Sequence, residues 1–205
     1  MILIACEICV IQRVYKVSLY IAIMVDMRIE NVVASTTIAR EIDLSKLKKA
    51  LPETDYKPEQ FPGLVLRLDE PKTAALLFRS GKVVCTGAKT IKDVERAIKK
   101  VCDKVASAGF RVYKRPEITV QNIVASANLH AQLNLNAIAL AIGLEKIEYE
   151  PEQFPGLVYR LEEPRVVLLL FGSGKLVCTG ARKDSQVKEA IEKITEELNA
   201  KGLLL

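Results

Sequence analysis

The chain has 205 residues, of which 50% are hydrophobic and 27% charged, with a formal net charge of +5. This length and composition suffice for one or two compact domains and exclude a disordered chain. The charge is uneven, since residues 26–115 carry 19 Lys and Arg against 12 Asp and Glu, whereas residues 116–205 carry 9 against 12. A basic half beside an acidic half predicts partners of both signs.

The first segment, residues 1–25, is apolar but is interrupted by charged residues. No run in it reaches the roughly 18 uncharged residues of a membrane span, and it lacks a secretory cleavage pattern. We expect an N-terminal extension that is not part of the fold, and no membrane partner. Its lone CxxC pair, Cys6 and Cys9, is a weak indication of a metal or redox site. We interpret the cysteines as reduced thiols in the cytoplasm.

The rest of the chain contains one sequence twice. Residues 57–89 return as residues 150–182 with identity at most positions. Upstream, the block that begins at Asn31 returns at Asn122 with an offset two residues shorter, so the second copy gained two residues in a loop between. Two copies are too few for a solenoid, and they predict a pseudo-symmetric pair that shares one sheet.

We assign the copies to residues 26–115 and 116–205. The predicted elements of the first copy are a strand at 28–35, a helix at 43–51, strands at 64–68, 74–78 and 82–86, and a helix at 91–108. Asp43 is a candidate N-cap of the first helix, and Gly109 suits the end of the second. The second copy repeats this order. The apolar residues of the helix at 91–108 form one stripe. Helices are therefore expected to cover one face of an antiparallel sheet and to leave the other open.

Strand alternation assigns side chains to these two faces. If Leu77 and Cys85 pack beneath the helices, then the open face carries Leu76, Phe78, Val84 and Thr86. An apolar open face marks a binding surface. From alternation alone, an ordinary sandwich core or a dimer face remains the alternative.

Phenylalanines favour the binding surface. Phe61 corresponds to Phe154 and Phe78 to Phe171, each beside turn residues of its copy. Core aromatic residues usually occupy the middle of strands or helices. Duplicated aromatic residues at turn edges therefore predict wedges at the two ends of a concave surface.

These features resemble the TATA-binding-protein family over residues 28–205. The duplicated motifs are QNIVAS, EQFPGL, LLFxSGK and VxTGA, with Glu30 and Val32 departing from the first motif in the first copy. The resemblance implies an α+β fold, in which two pseudo-symmetric repeats form a curved antiparallel ten-stranded sheet, a saddle, with four helices on its convex face. The chain resembles archaeal members of the family in showing no long low-complexity N-terminal segment.

The resemblance also implies a function. It is that of a general transcription factor of an archaeal cell, associated with the nucleoid, that binds double-stranded A/T-rich promoter DNA, the TATA box, in the minor groove. Family members kink this DNA with Phe wedges and nucleate assembly with transcription factor B and, indirectly, RNA polymerase. The family is itself a standard example of minor-groove wedging, so this mechanism comes from the resemblance.

The resemblance assigns the site residue by residue. Phe61 and Phe78 would form one intercalating pair, and Phe154 and Phe171 the other. Asn31 and Asn122 would donate to base acceptors at the centre. The groove-lining set would be Val33, Val84, Thr86, Val124, Val177 and Thr179, with Leu76 and Leu169 supporting the wedges. The phosphate contacts would be Arg67, Arg160, Lys82, Lys175, Ser80, Ser173, Lys89 and Arg182.

The chemistry of these residue types suits the minor groove. There, A·T and T·A pairs offer the same two acceptors, adenine N3 and thymine O2, which match amide donors. A guanine amino group would clash with apolar side chains, so the recognition separates A/T from G/C. Flexible pyrimidine–purine steps cost least to unstack.

The matched loops before the first wedges differ in charge. Lys57 and Glu59 in the first copy correspond to Glu150 and Glu152 in the second, and Glu148 adds to the second. In the family, transcription factor B docks at this second loop. We therefore expect Glu148, Glu150 and Glu152 to carry that contact and to help select polarity on DNA.

The sequence contains no catalytic or metal-binding constellation, so we expect no enzyme, cofactor or small-molecule substrate. His130 is interpreted as a surface residue, and Cys85 and Cys178 as small core residues. The Ser-Gly-Lys turns lack the phosphate-loop pattern. Three lysines of the first helix form either a solvated face or a contact to a partner or flanking DNA; they are Lys46, Lys48 and Lys49.

Two other functions were weighed. The first is a protein-interaction scaffold of the same fold that does not bind DNA. Four intact wedges and both asparagines argue against it. The second is an accessory domain of a nucleic-acid enzyme, for which the chain leaves no room beyond its two copies.

Overall fold

The computed structural model describes residues 26–143 and 145–204. The N-terminal extension, with Cys6 and Cys9, lies outside the described residues. The elements of the described residues are β1 (Asp26–Thr37), α1 (Leu44–Ala50), β2 (Leu64–Leu68), β3 (Thr73–Leu77), β4 (Lys82–Ala88), α2 (Ile91–Ser107), β5 (Thr119–Asn128), α3 (Leu135–Ile142), β6 (Ile147–Glu148), β7 (Leu157–Leu161), β8 (Val166–Leu170), β9 (Lys175–Ala181) and α4 (Asp184–Ala200). The described part is therefore an α+β fold, and no helix in it is both long and apolar enough to cross a membrane.

The chain divides into two compact units. The N-terminal unit is Ile29–Val124, and the C-terminal unit is Ala125–Leu205 with the described residues of Met1–Arg28. In the N-terminal unit the strand order is β2, β3, β4, β1 and the first half of β5. In the C-terminal unit the second half of β5 is followed by β9, β8, β7 and β6.

Each unit buries one face of its strands beneath a long helix. Helix α2 packs against β3 and β4, and α4 packs against β9. Leu77 and Cys85 are fully buried, whereas Leu76 and Val84 beside them are only half-buried. This confirms the predicted assignment of sides. The apolar stripe of α2 is confirmed in the same way, and its buried residues are Val94, Ala97, Ile98, Val101 and Val105.

The helix ends follow from local hydrogen bonds. The carboxylate of Asp43 accepts the N–H of Lys46 at 3.0 Å and so caps α1, as predicted. That backbone hydrogen bond is the main reason why the pKa of Asp43 lies below its usual value. Helix α2 ends before Gly109, whose φ of 87° is costly for other residues. The N–H of Phe110 then donates to the carbonyl of Val105 at 3.2 Å, which closes the helix end.

The described residues form nine strands, and the prediction of ten is corrected here. In the C-terminal unit, β6 pairs with β7, with Glu148 opposite Val158. At the equivalent place in the N-terminal unit, Asp55 and Val65 form only an isolated bridge, with backbone hydrogen bonds of 2.9 and 2.8 Å. The tenth strand is thus reduced to one bridge.

The second copy gained two residues upstream of β6. One of them lengthens α3, which has eight residues where α1 has seven, and the other lengthens the connection from the helix to Glu148. In the C-terminal unit the carbonyl of Lys146 accepts the N–H of Arg160 at 2.9 Å, one residue beyond the pairs of β6. The shorter connection of the N-terminal unit has no such bond among the described residues.

Candidate nucleic-acid interface

The half-buried face of each unit carries two matched rows of side chains across its strands. The first row runs through Val84, Leu76 and Val65, and its counterpart through Val177, Leu169 and Val158. The second row runs through Thr86, Ala74 and Arg67, and its counterpart through Thr179, Val167 and Arg160. Each face is therefore an apolar strip that ends, along the second row, in an exposed arginine.

Sequence reasoning found most of these side chains but missed Val65 and Val158. Both are half-buried and extend the first row beyond its leucine. Alternation would have placed them, because each lies two residues before an arginine that was assigned to the same face.

The predicted wedges come together as two pairs of rings, one in each unit. The ring centroids of Phe61 and Phe78 are 5.9 Å apart with an interplanar angle of 66°. Those of Phe154 and Phe171 are 5.9 Å apart at 69°. In each pair the first ring is the more exposed, at 38% for Phe61 and 39% for Phe154, and the second is half-buried. Edge-to-face contact lets the half-buried ring hold the exposed one in place.

A glycine seats each pair of rings. A Cβ atom at Gly63 would lie 2.6 Å from Cε1 of Phe61 and 3.1 Å from Cε1 of Phe78. At Gly156 the corresponding distances are 2.6 Å to Phe154 and 3.0 Å to Phe171. Sequence reasoning treated these glycines as turn residues and missed their contact with the rings. The signal available was the Phe-Pro-Gly sequence itself, which occurs in both copies.

Tight turns fix the backbone of each phenylalanine. The N–H of Phe61 donates to the carbonyl of Lys57, and that of Phe154 to Glu150, each at 2.9 Å. The N–H of Phe78 donates to Lys82 at 2.9 Å, across the turn that holds Ser80. The phenylalanines therefore stand on short hydrogen-bonded turns, which hold their backbone in one conformation.

Asn31 is held by a bulge in β4. The register between β1 and β4 shifts at Val32, and Gly87 in the bulge has a φ of 91°. The N–H of Gly87 donates to Oδ1 of Asn31 at 2.7 Å, and Nδ2 of Asn31 donates to Oγ1 of Thr86 at 3.2 Å. The carbonyl of the amide is thus occupied, and one Nδ2–H has no acceptor among the described residues. Asn31 is therefore poised as a hydrogen-bond donor.

The other central candidates lie on β1 and β5. Asn122, Val33 and Val124 are all half-buried. Val33 follows Val32, which is fully buried, so alternation along β1 continues at this point.

The predicted phosphate contacts are exposed, but their surroundings differ. Ser80, Lys82, Ser173 and Lys175 lie at the turns that follow Phe78 and Phe171. Nζ of Lys89 lies 3.8 Å from the carboxylate of Glu30. The backbone N–H of Arg182 donates to Oε1 of Gln186 at 2.8 Å, which leaves its guanidinium out of that bond.

Arg160 is bound by an acid. Its Nη2 lies 3.0 Å and 3.2 Å from the two carboxylate oxygens of Glu148, and its Nε lies 3.2 Å from Oε1. Sequence reasoning assigned these two residues to different ligands, one to phosphate and the other to a protein. Glu150 and Glu152 are exposed in the adjacent loop. A groove beside Arg160 is also lined by Glu162, among other charged residues.

The remaining predictions concern residues away from this face. Cys85 and Cys178 are fully buried, which confirms them as core residues, and burial raises the pKa of each thiol to about 11. His130 is exposed, as predicted. In α1, Nζ of Lys48 donates to the carbonyl of Pro52 at 3.0 Å, so this lysine binds the loop that follows its helix. Residues 26–143 and 145–204 contain no cluster of three or more side chains suited to a metal ion.

Comparison with known proteins gives consistent results. The family model described as "Transcription factor TFIID (or TATA-binding protein, TBP)" matches residues 26–108 and 117–201. The TATA-box-binding protein of Thermoplasma acidophilum is 61% identical over 176 residues, covering 86% of this chain and 96% of its own. The TATA-box-binding protein of Archaeoglobus fulgidus is 58% identical over 178 residues, covering 87% of this chain and 97% of its own. The solved structure titled "Methanococcus jannaschii TBP" has a TM-score of 0.79 at 51% identity and covers 85% of this chain and 99% of its own.

Proposed function

Because the chain belongs to the TATA-binding protein family, we propose that it grips A/T-rich promoter DNA in the minor groove and kinks it with four phenylalanines. At the coarser level it is a TATA-box-binding transcription factor of archaeal type. One observation carries the finer proposal: each unit holds an exposed ring against a half-buried one at the edge of a turn. It would act on the chromosome in the cytoplasm of an archaeal cell.

The exposed rings are the parts that would enter the DNA. Phe61 and Phe154 would each insert between base pairs and stack on the pair that they expose. Unstacking one step costs a few kcal/mol, which this stacking and the wider contact with bent DNA offset. Phe78 and Phe171 would support the inserted rings from the side.

Recognition of A/T pairs would combine donors with an apolar floor. Nδ2 of Asn31 supplies a donor suited to adenine N3 or thymine O2, since Gly87 occupies the amide carbonyl. The row of Val84, Leu76 and Val65 offers no acceptor for a guanine amino group. A G/C pair would therefore be excluded because its amino group would be buried without a partner.

Phosphate contacts would supply most of the affinity but little of the specificity. Arg67 and Arg160 end the second rows, and the lysines beside the wedges add charge at the turns. The N-terminal half carries the larger excess of cations.

We also propose a partner for the acidic loop. The two units present nearly the same row residues, so DNA alone would poorly fix the direction of binding. Glu150 and Glu152 are exposed where the first copy has Lys57 and Glu59. A basic surface of transcription factor B would contact this loop, select one direction and recruit RNA polymerase indirectly. Charge complementarity of this kind acts mainly on specificity and association rate.

Within this function, residues 26–115 and 116–205 would act as two half-sites, and residues 1–25 would be dispensable. The match to the family begins at residue 26, which supports that division. Deletion of residues 1–24 is expected to leave DNA affinity unchanged in a binding titration. A tenfold loss would assign the extension a part in binding.

A gel shift tests the proposal directly. The protein is titrated onto a duplex that carries a TATA element and onto the same duplex with G/C pairs in its place. Strong preference for the first supports minor-groove recognition. Equal binding, or none, would favour the alternative of a protein-interaction scaffold.

A further inference from the structure

The ion pair between Glu148 and Arg160 depends on the register of two strands. Glu148 lies opposite Val158, and Arg160 lies two residues further along β7 on the same face. The two side chains are diagonal neighbours, a distance that only long side chains span. The guanidinium meets the carboxylate with contacts of 3.0 to 3.2 Å, while the side chains remain 56% and 64% exposed.

The same backbone frame in the N-terminal unit lacks the pair. Asp55 lies opposite Val65, and Arg67 lies two residues further along β2. The aspartate is one methylene shorter than the glutamate. The described ion pairs include none between Asp55 and Arg67. One unit therefore presents an arginine that is bound, and the other an arginine that is not.

Both arginines end a row of the proposed DNA face. A phosphate and a carboxylate bind guanidinium in the same way, through two parallel N–H donors. A phosphate that approaches Arg160 must displace Glu148, whereas one that approaches Arg67 displaces no acid.

We propose that Glu148 is an affinity-determining residue that competes with DNA phosphate for Arg160. This inference rests on the proposed function. The C-terminal unit binds the DNA phosphates less strongly than its sequence suggests, because Glu148 occupies Arg160. Any cationic group that bound Glu148 in place of Arg160 would free Arg160 for phosphate. The affinity for that group and the affinity for DNA would therefore raise each other by the same factor.

The size of the effect follows from the exposure of the pair. Exposed ion pairs are weak, so loss of the pair between Glu148 and Arg160 should change the affinity for DNA by about 2- to 5-fold. The effect shrinks as salt screens the pair.

An exchange of the two acids tests the proposal without changing net charge. In Glu148→Asp the shorter side chain releases Arg160, and affinity for a TATA duplex is expected to rise about 2- to 5-fold at low salt. In Asp55→Glu the longer side chain reaches Arg67, and affinity is expected to fall by a similar factor. Glu162→Asp makes the same chemical change beside Arg160 without touching the pair, and it should bind like the wild type. Affinity is measured by fluorescence anisotropy.

A thermodynamic cycle separates the pair from general effects. Arg160→Gln should cost more affinity in the Glu148→Asp background than in the wild type, whereas Arg67→Gln should cost the same in both. If Glu148→Asp loosens or does not change binding, Glu148 does not compete for Arg160. Should the aspartate variant fail to fold, Glu148→Gln against Glu162→Gln gives the same comparison.

The two proposals fail in different ways. If the proposed function is wrong, the wild type shows no preference for the TATA duplex, and this inference falls with it. If only the inference is wrong, the wild type prefers the TATA duplex and both exchanged variants bind it with wild-type affinity.

Discussion

In the C-terminal unit, Cε1 of Phe154 lies 2.6 Å from the position that a Cβ atom of Gly156 would occupy. No real Cβ contact is so short, so any other residue at this position would push the exposed ring away. Gly63 stands in the same relation to Phe61. The glycine of each Phe-Pro-Gly sequence therefore sets the position of the exposed ring, not only the course of the turn.

Alanine at either glycine should displace a wedge. Gly156→Ala is expected to lower the free energy of unfolding by about 1–3 kcal/mol, the usual cost of overpacking, and to reduce DNA bending. Gly172→Ala is a matched control in the same unit, because its new methyl would meet only the carbonyl of Leu133 at 3.6 Å. Urea denaturation measures the stability, and energy transfer across an end-labelled duplex measures the bend. Equal stability of the two variants would contradict the packing argument.

Removal of the wedges should abolish bending more than folding. The quadruple variant replaces Phe61, Phe78, Phe154 and Phe171 by Ala, and we expect its complex with a TATA duplex to be unbent in the energy-transfer assay. Circular dichroism serves as the control for folding, since the first residue of each pair is already 38% or 39% exposed. A bend of wild-type size would remove these residues from the mechanism.

Salt dependence should reveal the phosphate contacts. Arg67→Ala is expected to lower the magnitude of the slope of log affinity against log salt by about 1. Arg160→Ala should lower it less, because part of its charge is already met by Glu148. Arg96→Ala is the control, since this residue lies on α2 and pairs with Asp93. A slope unchanged by Arg67→Ala would contradict the assignment.

The acidic loop should matter for the partner and not for DNA. Glu150→Arg combined with Glu152→Arg is expected to abolish the ternary complex with transcription factor B and to preserve the binary complex. Glu192→Arg with Glu196→Arg on α4 changes the charge equally elsewhere. Both complexes are resolved on one native gel. A ternary complex of wild-type affinity in the first variant would place the recognition of polarity elsewhere.

Stability should fall at alkaline pH because of the buried thiols. Burial raises the pKa of Cys85 and Cys178 to about 11, so the folded state keeps protons that the unfolded state loses from about pH 9. The free energy of unfolding should therefore decline as pH rises through this range. Tyr159 adds to the decline, since burial and a hydrogen bond to Glu197 also raise its pKa. Urea denaturation of the wild type and of the Cys85→Ala, Cys178→Ala variant compares the two slopes, and the variant should decline less.

The order of the elements was predictable because it rests on local periodicity. Alternation in β3 and β4 and the apolar stripe of α2 depend on residues a few positions apart, and both predictions are confirmed. Boundaries were less accurate, since β1 runs from Asp26 to Thr37 and exceeds its predicted length at both ends. Its C-terminal end is set by pairing with β4, where Thr37 lies opposite Lys82, and not by its own sequence.

The parts of the site that were missed depend on contacts distant in sequence. The seat at Gly63 involves a ring two residues earlier and another on the far side of a hairpin. The pair of Glu148 and Arg160 requires β6 to be in one register with β7. No periodicity in the chain encodes that register. The sequence therefore supplied the residues of the site but not how they constrain one another.

The two-residue gain across α3 and its connection to β6 also indicates where this protein accepts extra chain. The two copies differ in length at this connection, yet the strands that follow it keep the same pairing in both units. Glu145 and Lys146 in the connection are exposed, and an exposed loop accepts insertion at small entropic cost. A peptide tag or a fluorescent-label site inserted there would report on the acidic loop from close by without an addition to either chain terminus.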